Sequence, residues 1–403
     1  MKIEPGPSPA AVRGFRFCGV HGGIKKKPRR DFALIVADRP CVAAAVFTRN
    51  RCAAAPVLVA REHAADGLLQ AVMINSGNAN CATGEQGLKI ARWSCDELAS
   101  RLGIASSLVL PCSTGVIGVQ LDHRAMARAI ALGVDSLSKR GFGAAARAIM
   151  TSDACPKWSE RRVRIDGVEI HLAAMAKGAG MIEPHMATML AFVLTDANMS
   201  PAAARAMLAA GVAKSFNRIS VDGDTSTNDT CLLMASAEVA GLTIDGPESP
   251  GYDALAVAVA AVLEDTARMV VRDGEGATKM VDILVTGAAS DAEADRVARR
   301  IANSPLVRCA ITGADPNWGR LVMALGNTDA SFEIGALDVR VGHVALVRAG
   351  VVISEEAAAE ARRVMKGAAY ELAIRLGSGP GSAVVITADL TPEYVNFNSA
   401  YTS

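Results

Sequence analysis

Short runs rich in valine, isoleucine and alanine recur through the first half of the chain, at 32–37, 42–47, 56–60, 71–75 and 107–110. Each is bounded by glycine, proline, asparagine or charge, the punctuation that strands carry. Between them, 83–102 and 124–132 place apolar residues at helical spacing. The segment 162–173 centres on Asp166-Gly167, a strong two-residue hairpin signal. In the second half, Ser200-Pro201 pairs an N-cap residue with proline at the first helical position and predicts a helix to about residue 215. Further helices are expected at 252–271, 291–303 and 354–376, and strands at 231–239, 280–286, 337–347 and 383–390. Strands and helices alternate irregularly, which predicts an α/β or α+β class with layered sheets and covering helices.

Composition narrows the partners. At 403 residues the chain is long enough for two to three domains or one large sheet-based unit. Its formal net charge is +1, so no strong field draws in nucleic acid or an anionic membrane, and a small-molecule partner is expected. The basic run at 25–30, KKKPRR, has no aromatic interleaving and reads as a solvated loop. Nine cysteines are scattered without a CxxC pair, against a zinc site or a disulfide framework. No segment has signal-peptide or membrane-spanning character, so a reduced cytoplasmic protein is expected. With aromatics at only 4%, small aliphatic side chains must build the core.

The segment 177–197, KGAGMIEPHMATMLAFVLTDA, carries the chemistry of greatest interest. It delivers Thr188 from a glycine-rich turn into an apolar run. A threonine hydroxyl is a poor nucleophile at neutral pH, but scission of the Ala187-Thr188 bond would free an α-amino group on the same residue. That amine, with an ordinary pKa of roughly 7.7 to 8.0, would serve as general base. Without company, a threonine in such a run is simply a β-branched strand residue. Three segments supply company. The turn CSTGVIG at 112–118 exposes backbone N–H groups and a hydroxyl, with Thr114 and Gly115 as candidates for facing an oxyanion. In RDGEG at 272–276, glycines flank Glu275, whose carboxylate could hold an ammonium group. The polar terminus at 398–403 acquires a role only by closing over a site. The acidic stretch DGDTSTND at 222–229 lacks the spacing of a calcium loop and reads as hydrogen-bonded structure near the cleft.

The combination of STGVIG, IMTSDACPK, KGAGMIEPHMATMLAF, FNRISVDGDTSTNDT, DGEGATK, NSPLVRCAITGADPNWGR and a final NxxxxS resembles the ornithine acetyltransferase family. The family is also called the bifunctional arginine biosynthesis protein, glutamate N-acetyltransferase. The resemblance runs from about Gly14 to Ser403, with several long motifs in the family's order. It implies a layered αββα sandwich and self-cleavage between Ala187 and Thr188, giving an α chain of 1–187 and a β chain of 188–403. It implies Thr188 as acetyl-accepting nucleophile, Thr114 and Gly115 as the oxyanion-stabilising pair, and substrate contacts at Thr151, Lys177, Thr188, Glu275, Asn398 and Ser403. Lys177 is then expected to face a substrate carboxylate and Glu275 an amino group.

The implied reaction is ping-pong transfer of acetyl from N-acetylornithine to glutamate in arginine biosynthesis, with no metal or cofactor. Whether acetyl-CoA is a second donor is left open. The implied assembly is a heterotetramer of two α and two β chains. The sequence departs from the family pattern at His185, where asparagine is expected, and at Ser152 and Ser403, where threonine is commoner. NWGR at 317–320 is assigned to packing or an interface. Competing readings are an amidohydrolase or aminopeptidase of related fold, a specialised-metabolism N-acyltransferase paralogue, and an unprocessed binding protein on the same scaffold.

Overall fold

The computed structural model describes residues 8–9, 12–183 and 189–400. Its first half runs β1 (Phe15–Val20), β2 (Phe32–Phe47), α1 (Ala55–His63), β3 (Leu68–Asn78), α2 (Gly84–Leu102), β4 (Val109–Val116), α3 (His123–Asp135), α4 (Phe142–Ala148), β5 (Lys157–Ile165) and β6 (Val168–Lys177). There follow β7 (Leu190–Thr195), α5 (Pro201–Lys214), β8 (Ile219–Ser220), β9 (Thr230–Ala235), α6 (Tyr252–Arg272) and β10 (Met280–Ala288). The remainder is α7 (Asp291–Ala302), α8 (Pro305–Thr312), α9 (Trp318–Gly326), β11 (Asp338–Val341), β12 (Val344–Arg348), β13 (Val351–Val352), α10 (Glu355–Met365), β14 (Ala369–Arg375), β15 (Gly381–Ala388) and α11 (Pro392–Ala400).

The runs at 32–37 and 42–47 are two halves of one 16-residue strand, β2, interrupted by exposed Asp38, Arg39 and Pro40. The first half pairs with β1 and β3, while the second keeps β3 only at Cys41 and Val42 and runs along β9, so β2 passes from one sheet layer into another. Side-chain alternation then separates three cores. Phe15, Phe17, Ile35, Val72, Ile74 and Leu110 of one layer meet Met175, Phe192, Leu194, Leu232 and Met234 of the other. On the outer face of the first layer, Phe32, Leu34 and Met73 pack under Ile90 and Leu98 of α2 and Ile130 of α3. On the outer face of the second, Leu172, Val193 and Leu233 pack under Leu208 of α5 and Val259 and Leu263 of α6. The resulting order, helices on sheet on sheet on helices, is the expected αββα sandwich. A second sheet, ordered β13-β12-β11-β14-β10-β15-β8, carries its own core with α7, α9 and α10. It meets the sandwich where Met280, Ile386 and Ala388 enter the α5–α6 core, and its edge strand β8 follows α5 in the chain.

Local chemistry explains where the expected elements hold and where they do not. The β5–β6 hairpin turns at Asp166 and Gly167, both at positive φ, as its dipeptide requires. Helix α5 begins where Ser200 accepts from the Ala203 N–H and proline fills the first turn. The run at 56–60, expected as a strand, is helix α1, with Val57 and Val59 buried. Proline cannot donate within a ladder but fits a first helical turn, and that decides so short a run. The helix expected at 354–376 ends at Met365. Its second half is β14, drawn into the sheet between β10 and β11 after a turn in which the Gly367 N–H bonds Val364 O. The strand expected at 337–347 is a hairpin, β11–β12, folded at Gly342. Residues 392–400 form α11, so the polar terminus begins on a helix. No helix among the described residues is long and apolar enough to cross a membrane.

Candidate active site

Strand β4 runs parallel to β3, and its last residues bring Thr114 and Gly115 beside Gly77 of the neighbouring strand. Gly115 has φ +133, and a Cβ placed there would lie 2.4 Å from the Gly77 carbonyl carbon and 2.6 Å from Asn78 N. Two backbones therefore touch where any side chain would part them, and the ladder slips register at this point. Buried polar groups brace the turn from behind. Ser113 donates to Asn75 Oδ1 (2.6 Å), and Asn228 Nδ2 donates to the carbonyls of Ala79 (2.6 Å) and Ser113 (2.9 Å).

The other candidates arrive from distant elements at the same cleft of about 180 Å³. Its wall includes Thr114, Gly115, Thr151, Lys177, Glu275 and Asn398, six of the positions that the sequence singled out. A cleft of that size, walled by charged and hydroxyl groups, suits an amino-acid-sized ligand. Lys177, at the end of β6, is buried, and its Nζ donates to Thr114 Oγ1 at 3.1 Å. The lysine occupies a lone pair of that oxygen, so the Thr114 hydroxyl keeps its own proton to donate into the cleft. Burial lowers the Lys177 pKa, while Asp153, Asp229 and Glu275 oppose the shift. Opposite, Glu275 follows the end of α6. Its Oε2 accepts from Asn398 Nδ2 at 3.0 Å, and the same amide bonds Tyr394 O, so α11 is latched over the cleft. Phe397 adds an apolar cover. A helix closing the site is the role that the polar terminus needed.

Residues that the sequence did not single out individually complete the surroundings. Ser226, Asn228 and Asp229 also line the cleft. The acidic stretch at 222–229 is hydrogen-bonded structure beside it: Asp222 accepts from Met181 N (2.6 Å) and Ile182 N (2.7 Å). Burial raises the Asp222 pKa against those bonds. Below the floor lies an ion cluster. Lys157, fully buried, bonds Asp153 Oδ1 (2.7 Å) and Asp273 Oδ2 (2.6 Å), and Asp153 accepts from the Thr151 and Gly178 N–H groups. Burial alone would raise the Asp153 pKa, yet Lys157 and Lys177 hold it far below the carboxylate range. The run at 25–30 is an exposed loop except at Lys25, which turns inward to donate to Met150 O at 2.7 Å. No group of metal-binding side chains occurs among the described residues, and all nine cysteines are free.

His185, Ala187, Thr188 and Ser403 lie outside the described residues. On either side of 184–188, Gly180, Met181 and Met189 line the cleft. Thr114, Gly115, Thr151 and Lys177 precede that junction and Glu275 and Asn398 follow it, so neither stretch holds the site alone.

The ArgJ family model matches residues 16–403. The chain belongs to the ArgJ family. It is 43% identical over 396 residues to the arginine biosynthesis bifunctional protein ArgJ of Rhizobium meliloti, covering 98% of this chain and 96% of that one. Against the protein of the same name from Nitratidesulfovibrio vulgaris it is 44% identical over 395 residues, covering 98% and 100%. Among solved structures it is similar to ArgJ from Bacillus halodurans (39% identity, 52% of this chain and 98% of that one, TM-score 0.49). It is also similar to ornithine acetyltransferase complexed with ornithine from Mycobacterium tuberculosis (35% identity, 44% and 94%, TM-score 0.39). With an ArgJ match across the site motifs, this member is an arginine-biosynthesis enzyme rather than a bare scaffold.

Proposed function

We propose that this chain cuts itself before Thr188 and then transfers acetyl from N-acetylornithine to glutamate by a ping-pong mechanism. The observation that carries the reading is the meeting in one cleft of a buried ammonium, Lys177, a carboxylate, Glu275, and a hydroxyl-and-glycine turn, Thr114-Gly115, beside Met189. In self-cleavage, Thr188 Oγ attacks the Ala187 carbonyl carbon and displaces the Thr188 nitrogen. Water then hydrolyses the resulting ester, leaving an Ala187 carboxylate and a free Thr188 amine.

In the first transfer, that amine takes the proton from Thr188 Oγ as the oxygen attacks the acetyl carbonyl. Thr114 Oγ1–H and the Gly115 backbone meet the oxyanion, a contribution of about 2.7–4 kcal/mol for one such donor elsewhere. Collapse of the intermediate breaks the C–N bond, returns the proton to the departing ornithine nitrogen and leaves acetyl on Thr188. The glutamate amine then attacks the ester, and the threonine hydroxyl is regenerated. Lys177 faces the α-carboxylate and Glu275 the side-chain ammonium of N-acetylornithine, so opposite charges orient the donor. Thr151, Asn398 and Ser403 complete the binding set. The fragments 1–187 and 188–403 act as α and β chains in a heterotetramer of two each, in the cytoplasm.

Purified protein given N-acetylornithine with and without glutamate tests the reading. Formation of N-acetylglutamate in step with ornithine release is expected. Ornithine release at the same rate without any acceptor would make the protein an amidohydrolase instead, and an acetyl-CoA arm of the same assay decides whether a second donor is used.

A further inference from the structure

We propose that Lys157 is a positioning residue that fixes the separation of Lys177 and Glu275 and thereby selects the length of the amino acid the cleft accepts. The inference rests on the functional reading above. Lys157 touches no cleft surface, being fully buried. Its ammonium sits between Asp153 Oδ1 at 2.7 Å and Asp273 Oδ2 at 2.6 Å, and it also donates to Cys155 O at 3.2 Å. Each carboxylate in turn holds one wall of the cleft. Asp153 accepts from Gly178 N at 2.6 Å, the residue next to Lys177, and from Thr151 N at 2.8 Å. Asp273 stands two residues before Glu275 and accepts from Ala154 N at 3.0 Å, which ties the Glu275 turn to the 151–155 segment. Directly above, Glu275 N bonds Ala179 O at 2.8 Å.

The distance between the two charged ends of the cleft is thus set by a buried ion triad rather than by the side chains that meet substrate. Burial would lower the Lys157 pKa, but the two carboxylates outweigh it and keep the lysine charged, as the clamp requires. The triad also crosses the cut, since Asp153 and Lys157 precede Thr188 and Asp273 follows it. In the processed protein it joins the two chains at the point where spacing matters. N-acetylornithine carries its α-carboxylate and terminal ammonium a fixed number of methylenes apart, so a fixed separation of partners discriminates by length.

The experiment uses full-length Lys157→Met and Asp273→Asn with three donors: N-acetylornithine, its homologue one methylene shorter (N-acetyl-2,4-diaminobutyrate) and the one longer (N-acetyllysine). In folded variants, the expected result is at least a tenfold rise in KM for N-acetylornithine with kcat within about threefold. The preference over N-acetyllysine should narrow at least fivefold. Unchanged relative preference among the three donors in a folded variant overturns the inference, even if the melting temperature drops. Should Lys157→Met fail to accumulate, Asp273→Asn, which keeps the shape and removes only the charge, decides alone. Wild-type protein in the same assay separates the two levels. No acetyl transfer by wild type defeats the functional reading, whereas normal transfer with unaltered length preference in the variants defeats only this inference.

Discussion

Gly180→Ala offers a substitution whose effect on activity and on stability can be predicted separately. A methyl group built on Gly180 lies 2.4 Å from Glu275 Oε2, 2.5 Å from its Cδ and 2.6 Å from Oε1. Ordinary van der Waals contact begins at roughly 3.5 Å, so the carboxylate must retreat by about 1 Å. The obstacle is the free end of a side chain and Gly180 is not at positive φ, so the fold accommodates alanine at little cost. Removal of a glycine from the unfolded chain even favours folding by about 0.4–1 kcal/mol. The atom that must move most, Oε2, is the one that accepts from Asn398 at 3.0 Å, so the shift is expected to disturb that bond and the contact with the substrate ammonium. Losing one charge-assisted bond is worth about 1.5–3 kcal/mol, a fall in kcat/KM of roughly 10- to 150-fold. Initial rates of acetyl transfer against N-acetylornithine concentration, with thermal unfolding as control, measure both effects. A kcat/KM within threefold of wild type at unchanged stability would refute the assignment of Glu275 to the substrate amino group.

Gly115→Ala should behave differently, because its methyl meets backbone at 2.4 Å and its φ is +133. It is expected to lower kcat at least about 100-fold, the scale of losing an oxyanion donor, together with the melting temperature; wild-type kcat would remove Gly115 from that role. A pH test concerns Lys25, whose pKa burial pulls down to about 8. The folded value lies below the unfolded value of about 10.4, so between them the unfolded chain binds more protons and stability must rise with pH. Unfolding measured from pH 8 to 10 should therefore move in favour of wild type relative to Lys25→Met. A constant difference across that range would show that Lys25 is not buried against Met150 O as described.

How much of this was legible in the sequence depends on whether local chemistry or distant packing decided each element. Asp166-Gly167 and Ser200-Pro201 carry their own geometry, and the β5–β6 hairpin and α5 formed where those residues placed them. The segment 369–375 has no such instruction, and its pairing with β10 and β11 overrode a helical pattern. The αββα layering rests on β2 crossing between layers at Asp38–Pro40, a bend that periodicity reads as a plain interruption. In the cleft, Thr114, Gly115, Thr151, Lys177, Glu275 and Asn398 were legible because their motifs are distinctive, although no spacing says that they converge. The ion triad was not. Nothing in the spacing of Asp153 and Lys157 points to Asp273 more than a hundred residues on, and only the fold brings it to Lys157 as a second carboxylate partner. Lys25 was hidden for the opposite reason: five exposed neighbours in its basic run gave no sign that one lysine turns inward.

Everything proposed for the cleft depends on Thr188 gaining a free amine. Intact-mass measurement of purified wild type beside Thr188→Ala, under denaturing conditions, addresses that dependence most directly. Wild type should resolve into two species whose masses match residues 1–187 and 188–403, while Thr188→Ala stays a single chain of 41.7 kDa without transferase activity. A wild-type protein that transfers acetyl as one uncut 41.7 kDa chain, or a Thr188→Ala protein that still does so, would contradict the mechanism outright.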